Sequence, residues 1–247
     1  MRYEYSPLIE ALTATERERL LDRAVPRALE RGEALYLAGD LERRVHLVTE
    51  GLVMLAARDG AGEETLLGIA VPGELVGDPS AVDGEGQPFD VIAATRSAVL
   101  GMDADLLLQI LEGNGRAALE LARTIATRTR WLSSVALERT HNDVSARMAG
   151  RLLGLAELLG RMRSGTIEME LPLNQTEVGR LAGVCRESAS KTMNRLRSSG
   201  VLDYSGKTLR IYRPDALERI RCAGRAAEPS RSRDGAARRR SRSIPDT

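Results

Sequence analysis

Residues 173–212 constrain this chain most, because helix, turn, helix and strand signals follow one another there in an order few folds accept. Asn174 can cap a helix over 175–182, with Val178, Leu181 and Ala182 on one side. Gly183-Val184-Cys185 is a three-residue turn, and Arg186 opens a second helix to about 199 with Ala189, Met193 and Leu196 facing inward. Gly200 stops it. Val201-Leu202-Asp203-Tyr204, Ser205-Gly206 and Thr208-Leu209-Arg210-Ile211-Tyr212 then read as two strands about a tight turn. The whole is a helix-turn-helix with a wing. In such a motif the N-terminal end of the second helix enters the major groove of a duplex, so Arg186, Glu187, Ser190 and Lys191 are the candidate base readers. Arg186 can donate two bonds to guanine O6 and N7, and Glu187 can accept from cytosine N4. Lys191, about one turn on, can reach another guanine or a phosphate. A G·C-rich half-site core follows. Asn174, Gln175 and Lys207 are placed to hold phosphates, which set register without specifying sequence.

Charge supports a polyanion partner. The net charge of +1 conceals 19 arginines against 27 acids over 1–173, net −8, and eight basic residues against three acids over 174–213, net +5. A basic back half behind an acidic front suits phosphate neutralisation. Aromatics are only 3% of the chain, which disfavours stacking on single strands, so double-stranded DNA is the expected partner. The tail 223–247, with Arg238-Arg239-Arg240, has the composition of a disordered basic extension. No apolar run approaches the roughly 20 residues that span a bilayer, so a cytoplasmic protein with no membrane partner is expected. Cys185 and Cys222 make neither a metal-type pair nor a disulfide framework.

The front half reads as short strands from 31 to about 102, broken by Ala38-Gly39-Asp40, Asp59-Gly60-Ala61-Gly62 and Val71-Pro72-Gly73. Many short strands at this spacing imply a sandwich or roll. From about 116 to 138 the period changes, and Leu121, Ile125, Leu132 and Val135 form a narrow seam interrupted at Arg128. A narrow seam on so long a helix is the mark of a homodimer contact. His141-Asn142-Asp143 is a hinge and cap. The helix behind it carries Met148, Leu152, Leu155, Ala156 and Leu159 on one face and is ended by Gly160 and Ser164-Gly165; residues 166–171 then alternate as a strand. The expected class is α+β, divided into a β-roll sensor domain (1–112), a dimerisation helix and hinge (113–142), a winged helix-turn-helix (143–222) and the basic tail.

With those residues in place, the chain resembles the cyclic-AMP receptor protein and fumarate-nitrate regulator superfamily over 8–222. The resemblance rests on Arg147-Met148-Ala149-Gly150-Arg151-Leu152-Leu153, on Cys185-Arg186-Glu187-Ser188 with Lys191, and on Gly73-Glu74-Leu75-Val76-Gly77. It implies a cyclic-nucleotide-binding-type β-roll (jelly roll), a coiled dimer helix and a palindromic operator, with RNA polymerase and a small-molecule effector as further partners. In the cyclic-AMP branch an Arg, a Glu and an Arg read a TGTGA-like half-site. Arg186 and Glu187 match, while Lys191 replaces the last Arg and lacks its planar fork. Cys185, where many relatives have Ser, is read as packing.

The effector pocket departs from the cyclic-AMP pattern. Glu74 and Leu75 match the Gly-Glu-Leu whose Glu holds the ribose, but Pro88-Phe89-Asp90 stands where the phosphate-binding Arg-Ser pair belongs. Without the guanidinium the cyclic phosphate loses its clamp, and Asp90 repels it. The Thr-Ser pair that meets the adenine becomes Leu132-Ser133. Cyclic AMP is therefore not the expected effector; a different small ligand or constitutive DNA binding is expected in its place. An iron-sulfur cluster lacks cysteines, since none lies before 185, and a haem has only His46 and His141 as obvious axial candidates. No cofactor or metal is expected. The rival readings are a cupin-like metal enzyme, disfavoured by two histidines 95 residues apart, and a sensor acting through protein contact rather than DNA.

Overall fold

A computed structural model describes residues 6–41, 43–58, 60 and 64–223, without the side chains of 140 and 141. The basic tail from 224 onward, most of the 59–62 turn and the His141 imidazole lie outside the described residues. Two short helices come first, α1 (Pro7–Ala11) and α2 (Ala14–Leu21). The second starts on a capping box: Thr13 Oγ1 accepts from the Glu16 N–H, and Glu16 accepts from the Thr13 N–H.

Eight strands follow: β1 (Val25–Leu29), β2 (Ala34–Tyr36), β3 (Arg44–Glu50), β4 (Val53–Arg58), β5 (Glu64–Ala70), β6 (Leu75–Val76), β7 (Asp90–Ala93) and β8 (Ser97–Asp103), with α3 (Asp78–Asp83) between β6 and β7. They pair antiparallel into two four-stranded sheets, ordered β1-β8-β3-β6 and β2-β7-β4-β5. Alternation explains the sequence pattern. In β5, Leu66, Gly68 and Ala70 are buried while Leu67 and Ile69 between them are half-buried. Leu29, Val48, Val53, Leu55, Phe89, Val91 and Val99 fill the roll between the sheets.

His46 on β3 sits in this roll with 5% exposure, and neither ring nitrogen has a hydrogen-bond partner. Burial, assisted by the charges of Arg27 on β1 and Arg44 on β3, lowers its pKa from 6.5 to about 4. The native state therefore holds the neutral ring, and the unfolded chain takes up a proton first as pH falls. Stability from this residue is complete above pH 6.5 and is lost as pH falls towards 4, about 3 kcal/mol in all. Urea unfolding of wild type and His46→Leu across this window should show the wild type losing more by about that amount. Parallel losses would contradict it.

The α4 helix (Ala104–Gly113) and the long α5 (Gly115–His141) follow the roll. The seam break at Arg128 does not break the helix. Arg128 turns towards the roll, donating to Asp78 Oδ1 at 2.7 Å and to the Leu75 carbonyl at 2.8 Å. Two seam residues need correction. Leu121 (6% exposed) and Val135 (5% exposed) are buried against their own chain, Leu121 in the cluster built by α1, α2 and α4, where the first half of α5 covers the roll's helices. Ile125 is half-buried on the edge of that cluster. The open face runs from Leu132 across Ala122, Thr129 and Ser133 to Leu119 and Leu137, which recur about five turns apart.

Asp143 caps α6 (Val144–Leu159), accepting from the Ala146 N–H at 2.7 Å. Next come β9 (Arg161–Arg163), β10 (Thr166–Glu170), α7 (Gln175–Leu181), α8 (Arg186–Ser198), β11 (Leu202–Ser205), β12 (Thr208–Ile211) and α9 (Pro214–Ala223). Ser164-Gly165 is the β9–β10 turn rather than a helix end, with φ of 47° and 81°. The third sheet is ordered β11-β12-β10-β9. Its core, with Met148, Leu152, Leu196, Leu202, Ile211 and Leu217, continues into Leu52, Met54, Ala56 and Leu66 of β4, β5 and the turn before them. The helix-turn-helix unit is thus packed on the roll of its own chain.

Candidate nucleic-acid interface

Local chemistry fixes the start of α7. Asn174 Oδ1 accepts from the Glu177 N–H at 3.0 Å while Glu177 Oε2 accepts from the Asn174 N–H at 2.7 Å, so both partners satisfy donors the helix leaves open. Close crossing of the two helices requires Gly179, where an added Cβ would lie 2.7 Å from that of Ala189. Gly183 turns the chain at φ 62° beneath the Arg139 guanidinium. The inner face of α8 is Ala189, Thr192, Met193 and Leu196, all at most 5% exposed.

What remains outward at the start of α8 is Arg186, Glu187 and Lys191, all exposed, with Ser190 half-buried beside them. Glu187 and Lys191 form an (i, i+4) ion pair at 2.7 Å with 76% of each side chain exposed. Such a pair contributes only about 0.5 kcal/mol, so base edges displace it readily. Cys185 stands at the N-cap of α8 without a side-chain cap bond and is exposed, contrary to the expectation that it packs; its thiol donates to Ser188 Oγ at 3.3 Å. The Ser188 hydroxyl and backbone N–H, which can donate to the thiolate, lower the thiol pKa.

An open groove of about 590 Å³ lies between the two helix starts, lined by Asn174, Gln175, Thr176, Glu177, Arg180, Arg186 and Ser190. The structure therefore brings the candidate phosphate holders Asn174 and Gln175 beside the base readers Arg186 and Ser190. Lys207 stands apart, exposed in the two-residue turn between β11 and β12. This wing is tied to α8: the Tyr204 hydroxyl donates to Asn194 Oδ1 at 2.9 Å, and Arg197 lies over the Tyr204 ring and pairs with Asp203 at 2.7 Å. Glu177 and Arg180 were missed from sequence, although Arg180 falls one turn after Thr176, outside the apolar stripe of α7.

The candidate effector residues do not assemble as expected. Glu74 is exposed and closes its own turn, accepting from the Val71 N–H at 2.9 Å. The acid that α5 meets is Asp78, 1% exposed and held by Arg128. Leu75 and Phe89 are core residues. Asp90, 4% exposed, accepts from the Ala38 N–H at 2.8 Å and stands 3.5 Å from Arg58. Leu132 and Ser133 lie on the open face of α5, one turn beyond Arg128, which reaches the roll. A buried carboxylate where a cyclic phosphate would sit does not fit that ligand. Among the described residues no group of three or more His, Cys, Asp or Glu is placed to hold a metal ion. Nor, among them, is any helix long and apolar enough to cross a membrane.

A roll, a long connecting helix and a winged helix-turn-helix with its reading face open define a two-part DNA-binding regulator. Two family models divide the chain in the same way: the cyclic nucleotide-binding domain matches residues 26–114 and the Crp-like helix-turn-helix domain matches 146–220. The chain belongs to the CRP/FNR family of transcription regulators, which are not enzymes. It is 26% identical over 189 residues to the CRP-like cAMP-activated global transcriptional regulator of Mycobacterium tuberculosis, covering 76% of this chain and 84% of that one. It is 27% identical over 219 residues to the cyclic AMP receptor protein of Thermus thermophilus, covering 87% and 96%. FixK2 from Bradyrhizobium japonicum superposes with a TM-score of 0.72 at 20% identity, over 80% of this chain and 96% of that one, a likeness of fold.

Proposed function

We propose that two copies of this chain bind a palindromic double-stranded operator, each placing the start of α8 in a major groove. Arg186, Glu187, Ser190 and Lys191 read base edges; Asn174, Gln175 and Lys207 hold phosphates. The observation that carries this reading is the convergence of Asn174, Gln175, Arg186 and Ser190 on one open groove. The copies pair through the open face of α5, where Leu119, Leu132 and Leu137 are at least a third exposed. In this reading residues 1–112 are the sensor domain, 113–142 the dimer helix and hinge and 143–222 the reader, and the site of action is the cytoplasm.

The effector is a small molecule other than cyclic AMP, and RNA polymerase is the further partner. The Mycobacterium tuberculosis relative is named as cAMP-activated, but here Phe89 is core and Asp90 is a buried acid. In an anisotropy titration of a fluorescent duplex, the protein should bind with salt-sensitive affinity. Millimolar cyclic AMP should leave that affinity within about twofold, since a ligand without differential affinity shifts no equilibrium. No duplex binding at any salt would overturn the DNA reading; a gain of about tenfold or more with cyclic AMP would overturn the effector reading alone.

A further inference from the structure

Two guanidinium–carboxylate pairs cross from the roll to the reader. Arg31, in the β1–β2 turn, donates through Nη2 to both oxygens of Glu177 at 2.9 and 3.1 Å, and through Nη1 to the carbonyls of Ala94 and Pro172 at 2.6 and 2.9 Å. Arg180 of α7 donates through Nη1 to Glu64 Oε1, at the start of β5, at 2.7 Å. The pairs differ in kind. Arg31 is satisfied on both sides by groups that hold the α7 start in place, whereas Arg180 leans on one carboxylate, keeps 44% of its side chain exposed and lines the groove with Gln175 and Arg186. Glu64 also has Arg58 at 3.9 Å, so it keeps a cation nearby when Arg180 leaves.

We infer that Arg180 is a DNA-phosphate contact held in reserve: in the free protein Glu64 occupies its guanidinium, and the duplex must displace that carboxylate. This rests on the DNA-binding reading above and extends it, because it makes the roll a brake on the reader through one ion pair. A phosphate approaching the start of α7 meets Arg180 one turn along the same groove, and a guanidinium exchanges a carboxylate for a phosphate without loss of geometry. The exchange is shallow, as expected for a half-exposed pair. Any shift of β5 against α7 would change the setting of the brake.

The test uses the full chain and two duplexes, one carrying a selected site and one scrambled, titrated by anisotropy across a range of salt. Arg180→Gln should weaken both complexes alike and lower the slope of log affinity against log salt by about 0.9, one phosphate contact. Glu64→Gln should tighten both about two- to fivefold without changing the slope, and should have no effect when added to Arg180→Gln. If Glu64→Gln tightens binding equally in the Arg180→Gln background, the gain is general charge repulsion and the inference is overturned. It is overturned equally if Glu64→Gln weakens binding or leaves it unchanged. Wild type that binds neither duplex would instead defeat the DNA-binding reading itself.

Discussion

Arg186→Ala is expected to erase most of the preference for one duplex sequence over another while leaving a salt-sensitive background. Arg186 is exposed at the first position of α8, one turn before the first buried residue Ala189, so its removal leaves the packing of Ala189, Met193 and Leu196 intact. A bidentate guanidinium–guanine contact discriminates by about 1–3 kcal/mol, so the ratio of specific to scrambled affinity should fall about 5- to 150-fold in each half-site. Phosphate contacts from Gln175 and Lys207 persist, so the salt slope should change little. Competition titrations with the two duplexes measure this. An unchanged ratio in a folded variant would remove Arg186 from the base readers.

Leu132→Asp should split the dimer. Leu132 is 36% exposed on the open face of α5, and two-fold pairing would bring two copies of the new carboxylate into one apolar interface, where burial of like charges is strongly unfavourable. Each monomer would then engage one half-site. Losing the intramolecular advantage of the second should weaken palindrome binding by about 100-fold or more. Sedimentation velocity reads the mass and anisotropy the affinity. A variant that stays dimeric would remove Leu132 from the interface.

The contrast between Leu132 and Leu121 shows where sequence stops being legible. Both fall on one helical period, but Leu121 packs on α1, α2 and α4 while Leu132 faces out. Periodicity reports that a stripe is apolar, not whether its partner is the same chain or another copy. The helix-turn-helix and its wing were legible because their boundaries are written in local chemistry: the Asn174 cap, the Gly183 turn and the Gly200 stop act within a few residues. The sensor end was not. Gly73-Glu74 and Gly77-Asp78 look alike four residues apart, and only burial and a guanidinium 50 residues away single out Asp78. Arg180 and Glu64 are 116 residues apart, and no spacing rule joins them.

Selection of bound sequences from a random duplex pool tests the central claim most directly. Two copies of α8 related by a two-fold axis should enrich an inverted repeat with G·C pairs in each half and half-site centres about 10 base pairs, one helical turn, or a multiple of it apart. A pool that stays random after repeated rounds, or converges on an unrepeated site, would contradict it.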